Sequence, residues 1–131
     1  MKTAILIVLI FSLSTHLYSL RSEREGNYLI FYNDRDLKVK AYYILNDKVI
    51  YVYRYYYDTR DLCIREETWK KNRQIAFFLY TYHSDKRLKM KKYYYKSRLM
   101  YYIVYDRDGE IIEHKVFKSD KDKKAAREKK N

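Results

Sequence analysis

Four tyrosines, Tyr32, Tyr57, Tyr82 and Tyr105, recur at spacings of 25, 25 and 23 residues, each closing an aromatic-rich run. A short polar turn follows each one, then a run opening with Leu or Ile. The four stretches read LIFYNDRDLKVKAYYI, YRYYYDTRDLCIREETW, FLYTYHSDKRLKMKKYYY and YIVYDRDGEIIEHKVF. Shorter turns lie between them, at LNDKV (45–49), KKNRQI (70–75) and KSRLM (96–100). A self-similar period of about two dozen residues restricts the fold severely, because every copy must be the same supersecondary unit.

That unit is a β-hairpin. Leu37, Val39, Ala41 and Tyr43 alternate with Lys38, Lys40 and Tyr42, and Leu99, Tyr101 and Ile103 fall on one face by the same count. The period is two, not 3.6. The runs are rich in Tyr, Val, Ile and Phe, which suit a pleated, half-buried surface, and no proline interrupts them. Gly109 closes the turn DRDG, where a type I turn accepts it best. The pattern predicts an all-β, antiparallel meander of about eight strands built from four hairpin repeats: 27–33, 37–44, 48–58, 62–69, 74–83, 87–95, 99–106 and 110–117. An open twisted sheet is the preferred architecture, and a small closed barrel is the alternative. The first strand of each unit, such as VIYVYRYYY, is apolar on both faces; the second, such as LKMKKYYY, carries one charged face.

Three segments frame the organisation. Residues 1–19, MKTAILIVLIFSLSTHLYS, place a lysine before an apolar run and small residues after it, the layout of a secretory signal peptide. Its apolar run is shorter than the roughly 20 residues a membrane-spanning helix needs. Cleavage after Ser14 and after Ser19 both fit; an uncleaved anchor or a buried first strand is the alternative. Residues 20–117 form the β-repeat domain, entered through a polar leader, RSEREGN (21–27). Residues 118–131, KSDKDKKAAREKKN, read as a basic flexible tail. The expected location is secreted or periplasmic, with no transmembrane span after cleavage.

The units resemble the MORN-variant repeats of bacterial YwqK-type antitoxins, on the segment Tyr105-Asp106-Arg107-Asp108-Gly109-Glu110-Ile111 above all. They are also similar to the YD repeats of Rhs-type exported shell proteins. The turn glycine of those patterns is replaced here by Asp36, Asp61 or Lys86. The first resemblance implies a β-repeat scaffold that neutralises a toxin protein; both imply a sheet used for contacts.

Catalytic chemistry finds little support in the residue pattern. His16 falls in the signal segment, while His83 and His114 are more than one repeat apart. Carboxylates gather at Asp34/Asp36, Asp58/Asp61, Glu66/Glu67 and Asp106/Asp108/Glu110, mostly in turns, where aspartate caps its own backbone. Glu66 and Glu113 are the one conceivable acid–base pair. The turn DRDGE faintly resembles a calcium loop without its further ligands. The single cysteine, Cys63, excludes an intrachain disulfide and reads as a small buried apolar residue. No cofactor, no metal and no enzymatic activity are expected.

What remains is basic and aromatic. The chain has 29 Lys+Arg against 17 Asp+Glu and a formal net charge of +12, which favours anionic partners. The candidate binding residues are Lys89, Lys91, Lys92, Tyr93, Tyr95, Lys96 and Arg98, with Arg54 among the tyrosines at 53 and 55–57. Interleaved cations and rings suit stacking on single-stranded nucleic acid, but export argues against that partner. The expected function is therefore a non-catalytic interaction protein of the cell envelope, binding an anionic envelope polymer, a lipid surface or a protein partner. The alternative is an antitoxin- or immunity-like partner that neutralises a toxin protein.

Overall fold

The computed structural model describes residues 20–119 and 127–129; residues 1–19, where a signal peptide is expected, and most of the expected tail at 118–131 lie outside the described residues. One sheet of nine antiparallel strands runs in sequence order: β1 (Arg21–Glu25), β2 (Tyr28–Tyr32), β3 (Lys38–Leu45), β4 (Lys48–Tyr57), β5 (Cys63–Lys70), β6 (Arg73–Tyr82), β7 (Leu88–Tyr95), β8 (Arg98–Tyr105) and β9 (Ile111–Val116). The meander is open: β1 and β9 are its two edges, and it is not closed into a barrel. No described helix is long and apolar enough to cross a membrane.

The eight expected strands are present, and a ninth precedes them. RSERE is not a leader but β1, paired with β2 from Arg21↔Tyr32 to Glu25↔Tyr28. Its charges hid it, since an edge strand exposed on both faces needs no apolar alternation. The signal was Gly26, whose φ of 56° closes the connection to β2.

Two kinds of turn alternate along the sheet. Three of the four short ones put two consecutive residues at positive φ, Asn46–Asp47, Lys71–Asn72 and Lys96–Ser97, while the Gly26–Asn27 turn does so at Gly26 alone. This is the two-residue hairpin turn whose twist matches that of its flanking strands. The long ones follow the anchor tyrosines. In each, the fourth turn residue donates its N–H to the first, as Gly109 does to Asp106 at 3.2 Å, and has positive φ. Asp36, Asp61 and Lys86 hold the place of Gly109, at φ of 57°, 62° and 70° against 88°. The first turn residue stabilises three of the four: Asn33, Asp58 and Asp106 each accept two backbone N–H bonds through Oδ1. His83 stands at the fourth such position, and its Nε2 lies 3.1 Å from the Tyr105 carbonyl.

Every ladder from β2·β3 to β8·β9 contains one register shift. Each shift adds a residue to one strand, which deepens the right-handed twist. It also breaks strict alternation. Tyr94 pairs with Leu99 and Tyr93 with Tyr101, so Met100 is the extra residue, and Leu99 faces away from Tyr101 and Ile103. Likewise Tyr32 pairs with Lys38 and Phe31 with Lys40, which puts Val39 beside Lys40 and opposite Ala41. A period count over sequence does not see an inserted residue, so Leu99 does not share the face of Tyr101 and Ile103, nor Val39 that of Ala41 and Tyr43.

The sheet is a single layer. Among the described residues only Ile30, Ala41, Ala76 and Glu67 are buried, and no side chain is fully enclosed. Stability must come from the ladders and from cross-strand side-chain pairs, the unit of sheet energetics. The anchor tyrosines add to this. The β3·β4 ladder ends at Lys40↔Arg54 and the β5·β6 ladder at Arg65↔Leu79. Beyond those points the Tyr57 hydroxyl donates to the Lys38 carbonyl (2.7 Å) and that of Tyr82 to the Cys63 carbonyl (2.6 Å). Each closes the open end of its own hairpin. β8 has 8 residues where β4 and β6 have 10, and its ladder with β7 reaches Met90↔Val104. The shorter last spacing follows from that.

Candidate functional site

Cross-strand partners share a face, so the registers sort the side chains. One face carries two ring clusters. Tyr28, Tyr43, Tyr51 and Tyr53 pack with centroids 5.2–6.4 Å apart. Phe78, Tyr80, Tyr93, Tyr101 and His114 form the second, at 4.8–6.1 Å. Glu66 lies between them and accepts from the Tyr80 hydroxyl at 3.4 Å. Burial, then the Glu66 charge, raises the Tyr55 and Tyr80 phenols well above the ordinary range. Tyr57 is pushed up to about 12 by burial, with Cys63 and Glu66 adding to it.

The other face alternates cations with rings. The Arg54 guanidinium lies 4.6 Å from the Trp69 ring, Lys40 5.0 Å from Tyr42 and Arg65 4.3 Å from Phe77. Phe77 in turn stacks on Tyr94 at 4.5 Å and 9°. The buried Glu67 holds this face together. It accepts from Arg65 Nε (2.7 Å), Trp69 Nε1 (2.8 Å) and Tyr56 Oη (3.3 Å). Burial by itself raises a carboxyl pKa, but these donors and the Arg65 charge outweigh it and hold Glu67 below its usual value.

One arrangement on this face is costly to the fold. Lys40 and Arg54 are direct cross-strand partners, and like charges in that position destabilise a sheet. Glu67, across from Arg54 on the other side, is engaged by Arg65, Trp69 and Tyr56. Lys40 and Arg54 line a cleft of about 410 Å³ together with Phe31, Val39, Tyr42 and Tyr56. Two adjacent cations beside apolar rings can hold an anionic group whose neighbours are apolar.

The expected binding residues are divided between the faces. Lys91 and Tyr93 lie on the face of the ring clusters, where Lys91 Nζ sits 4.5 Å from the Phe78 ring. Tyr95, on that face too, pairs with Ala76 and Arg98. Lys96 is in the turn, 5.5 Å from the Tyr95 ring, and Arg98 Nη2 donates to the Lys118 carbonyl at 3.4 Å. Lys89 and Lys92 share the opposite face with Arg54, lining a separate cleft with Leu79 and Met90, three strands away. Lys40, Phe31 and Trp69 were missed. A hairpin count from the Asn46–Asp47 turn opposes Lys40 to Tyr53, and only the extra residue at Ile50 brings Arg54 across from it.

Glu66 and Glu113 are on opposite faces and do not converge. Asp106 Oδ1 is occupied by the turn N–H groups of Asp108 and Glu110. Cys63 is half-buried rather than enclosed, and burial raises its thiol pKa. Compared with known proteins, the chain matches no family model and no curated sequence.

Proposed function

We propose that the chain is an exported, non-catalytic binding protein of the cell envelope that uses the cation–ring face of its sheet to hold an anionic polymer or lipid headgroup. The observation that carries this reading is the facing pair Lys40 and Arg54 in their ring-lined cleft. A like-charged pair that weakens the free sheet is relieved when an anion sits between its members. The formal net charge of +12 supports attraction to such a surface at longer range, and the signal-like layout of residues 1–19 supports export.

Co-sedimentation with vesicles containing phosphatidylglycerol, and separately with purified envelope, tests it over a salt series. The bound fraction is expected to fall steeply with salt. Lys40→Gln/Arg54→Gln is expected to weaken it several-fold, and deletion of residues 118–131 reports any share held by the tail. Binding that ignores both salt and the double substitution overturns the reading.

A further inference from the structure

The two edges of the sheet are unlike. In β1, RSERE, four of five residues are charged, and Arg21 bonds Glu23 and Asp36. Charged edges of this kind resist pairing with another chain. β9, IIEHKV, carries two charges and leaves Ile111, Ile112 and Val116 59–64% exposed. Its backbone has a defined outward set. Phe117 donates its N–H to the Met100 carbonyl, and the ladder runs without a shift from Tyr101↔Val116 to Val104↔Glu113. By antiparallel alternation, Lys115 and Glu113 then point their backbone groups at β8. The N–H and C=O of His114 and Val116 point to the open edge. So does the Ile112 carbonyl, which lies opposite the N–H of Glu113 across one peptide.

We propose that this edge joins two copies of the chain, β9 against β9 in antiparallel order, with His114 of each copy on the two-fold axis. Glu113-His114-Lys115 is self-complementary in that orientation alone. With His114 opposite its own copy, each Glu113 faces the other chain's Lys115, and both pairs lie on the same face of the continued sheet. The outward groups of His114 meet each other, and the Val116 N–H meets the Ile112 carbonyl. The neighbouring in-phase registers fail, because a shift one way opposes Glu113 to Glu113 and a shift the other way opposes Lys115 to Lys115. Registers of odd shift set outward backbone groups against inward ones. A charged β1 and a self-matching β9 together give a closed dimer rather than a growing ribbon. This surface is separate from the Lys40–Arg54 cleft, so either proposal stands without the other.

Sedimentation velocity of the purified protein tests the pairing. The native chain is expected to dimerise with concentration. Glu113→Lys and Lys115→Glu, each alone, turn both cross-chain pairs repulsive and are expected to weaken the dimer about tenfold. Mixing these two variants restores both pairs, so a heterodimer is expected at native strength. That result also shows that loss of the Glu113 bond from Tyr102 is not the cause of the weakening. In a Cys63→Ser background, His114→Cys is expected to cross-link on mild oxidation, since axial hydrogen-bonded partners lie about 5.5 Å apart at Cα. Glu113→Cys is expected not to. A monomer at all concentrations, a dimer indifferent to the charge reversals, or species that grow beyond the dimer would each overturn the proposal.

Discussion

The Tyr82 hydroxyl bonds the Cys63 carbonyl at 2.6 Å, tying the last residue of β6 to the first of β5 where their ladder has already stopped. Tyr57 and Lys38 repeat the relationship 25 residues earlier. Removing the hydroxyl leaves a half-buried carbonyl without this donor. Tyr82→Phe and Tyr57→Phe are each expected to lower stability by about 1 kcal/mol, read as a fall in the urea midpoint with an unchanged slope. Tyr105→Phe, where the ladder itself runs closer to the strand end, is expected to change it less.

The same tyrosines make the fold sensitive to alkali. Tyr57 keeps its proton to about pH 12 in the folded chain, against an ordinary value of 10.0, because burial and then its neighbours disfavour the phenolate. Tyr53, Tyr82 and Tyr101 are raised in the same direction. Between those limits the unfolded chain has lost protons that the folded chain retains, so stability falls as pH rises. Urea melts are expected to be level from neutrality to about pH 10 and to lose midpoint steadily up to about pH 12. Tyrosinate absorbance is expected to rise together with unfolding.

The long turns give a paired prediction. Lys86 holds φ 70° where its repeat partner is Gly109, a region that disfavours side chains with a Cβ. Lys86→Gly is expected to raise stability by about 0.5–1 kcal/mol. Gly109→Ala is expected to lower it by about 1 kcal/mol, and through backbone conformation alone, since a Cβ there meets nothing within 4 Å. Thermal melts of the two variants should move in opposite directions.

Glu67 anchors Arg65, Trp69 and Tyr56 as a carboxylate. Its folded pKa is depressed, so this contribution is present above the ordinary value of 4.5 and is lost as pH falls through the lower folded value. Glu67→Gln is expected to cost about 1.5–3 kcal/mol near neutrality and to flatten the acid side of the stability profile. A variant with the native acid profile would remove Glu67 from this role.

Residue order alone determined the repeat, the strand type and the meander, because turn chemistry and strand composition are local and recur in register with the tyrosines. It also aligned Asp36, Asp61 and Lys86 with the turn glycine Gly109, and the structure supplied the positive φ that all four share. What it could not give was which side chains meet. RSERE carries no apolar pattern, yet β2 pairs with it through backbone groups that any sequence has. One inserted residue in each of seven ladders reassigns faces, bringing Lys40 to Arg54 and parting Lys89 from Lys91 and Tyr93. The extra residues, Val39, Ile64, Lys89 and Ile112 after the long turns and Ile50, Ile75 and Met100 after the short ones, recur with the repeat. But a bulge is a choice of backbone pairing between two strands, so the site they create exists only in the folded chain.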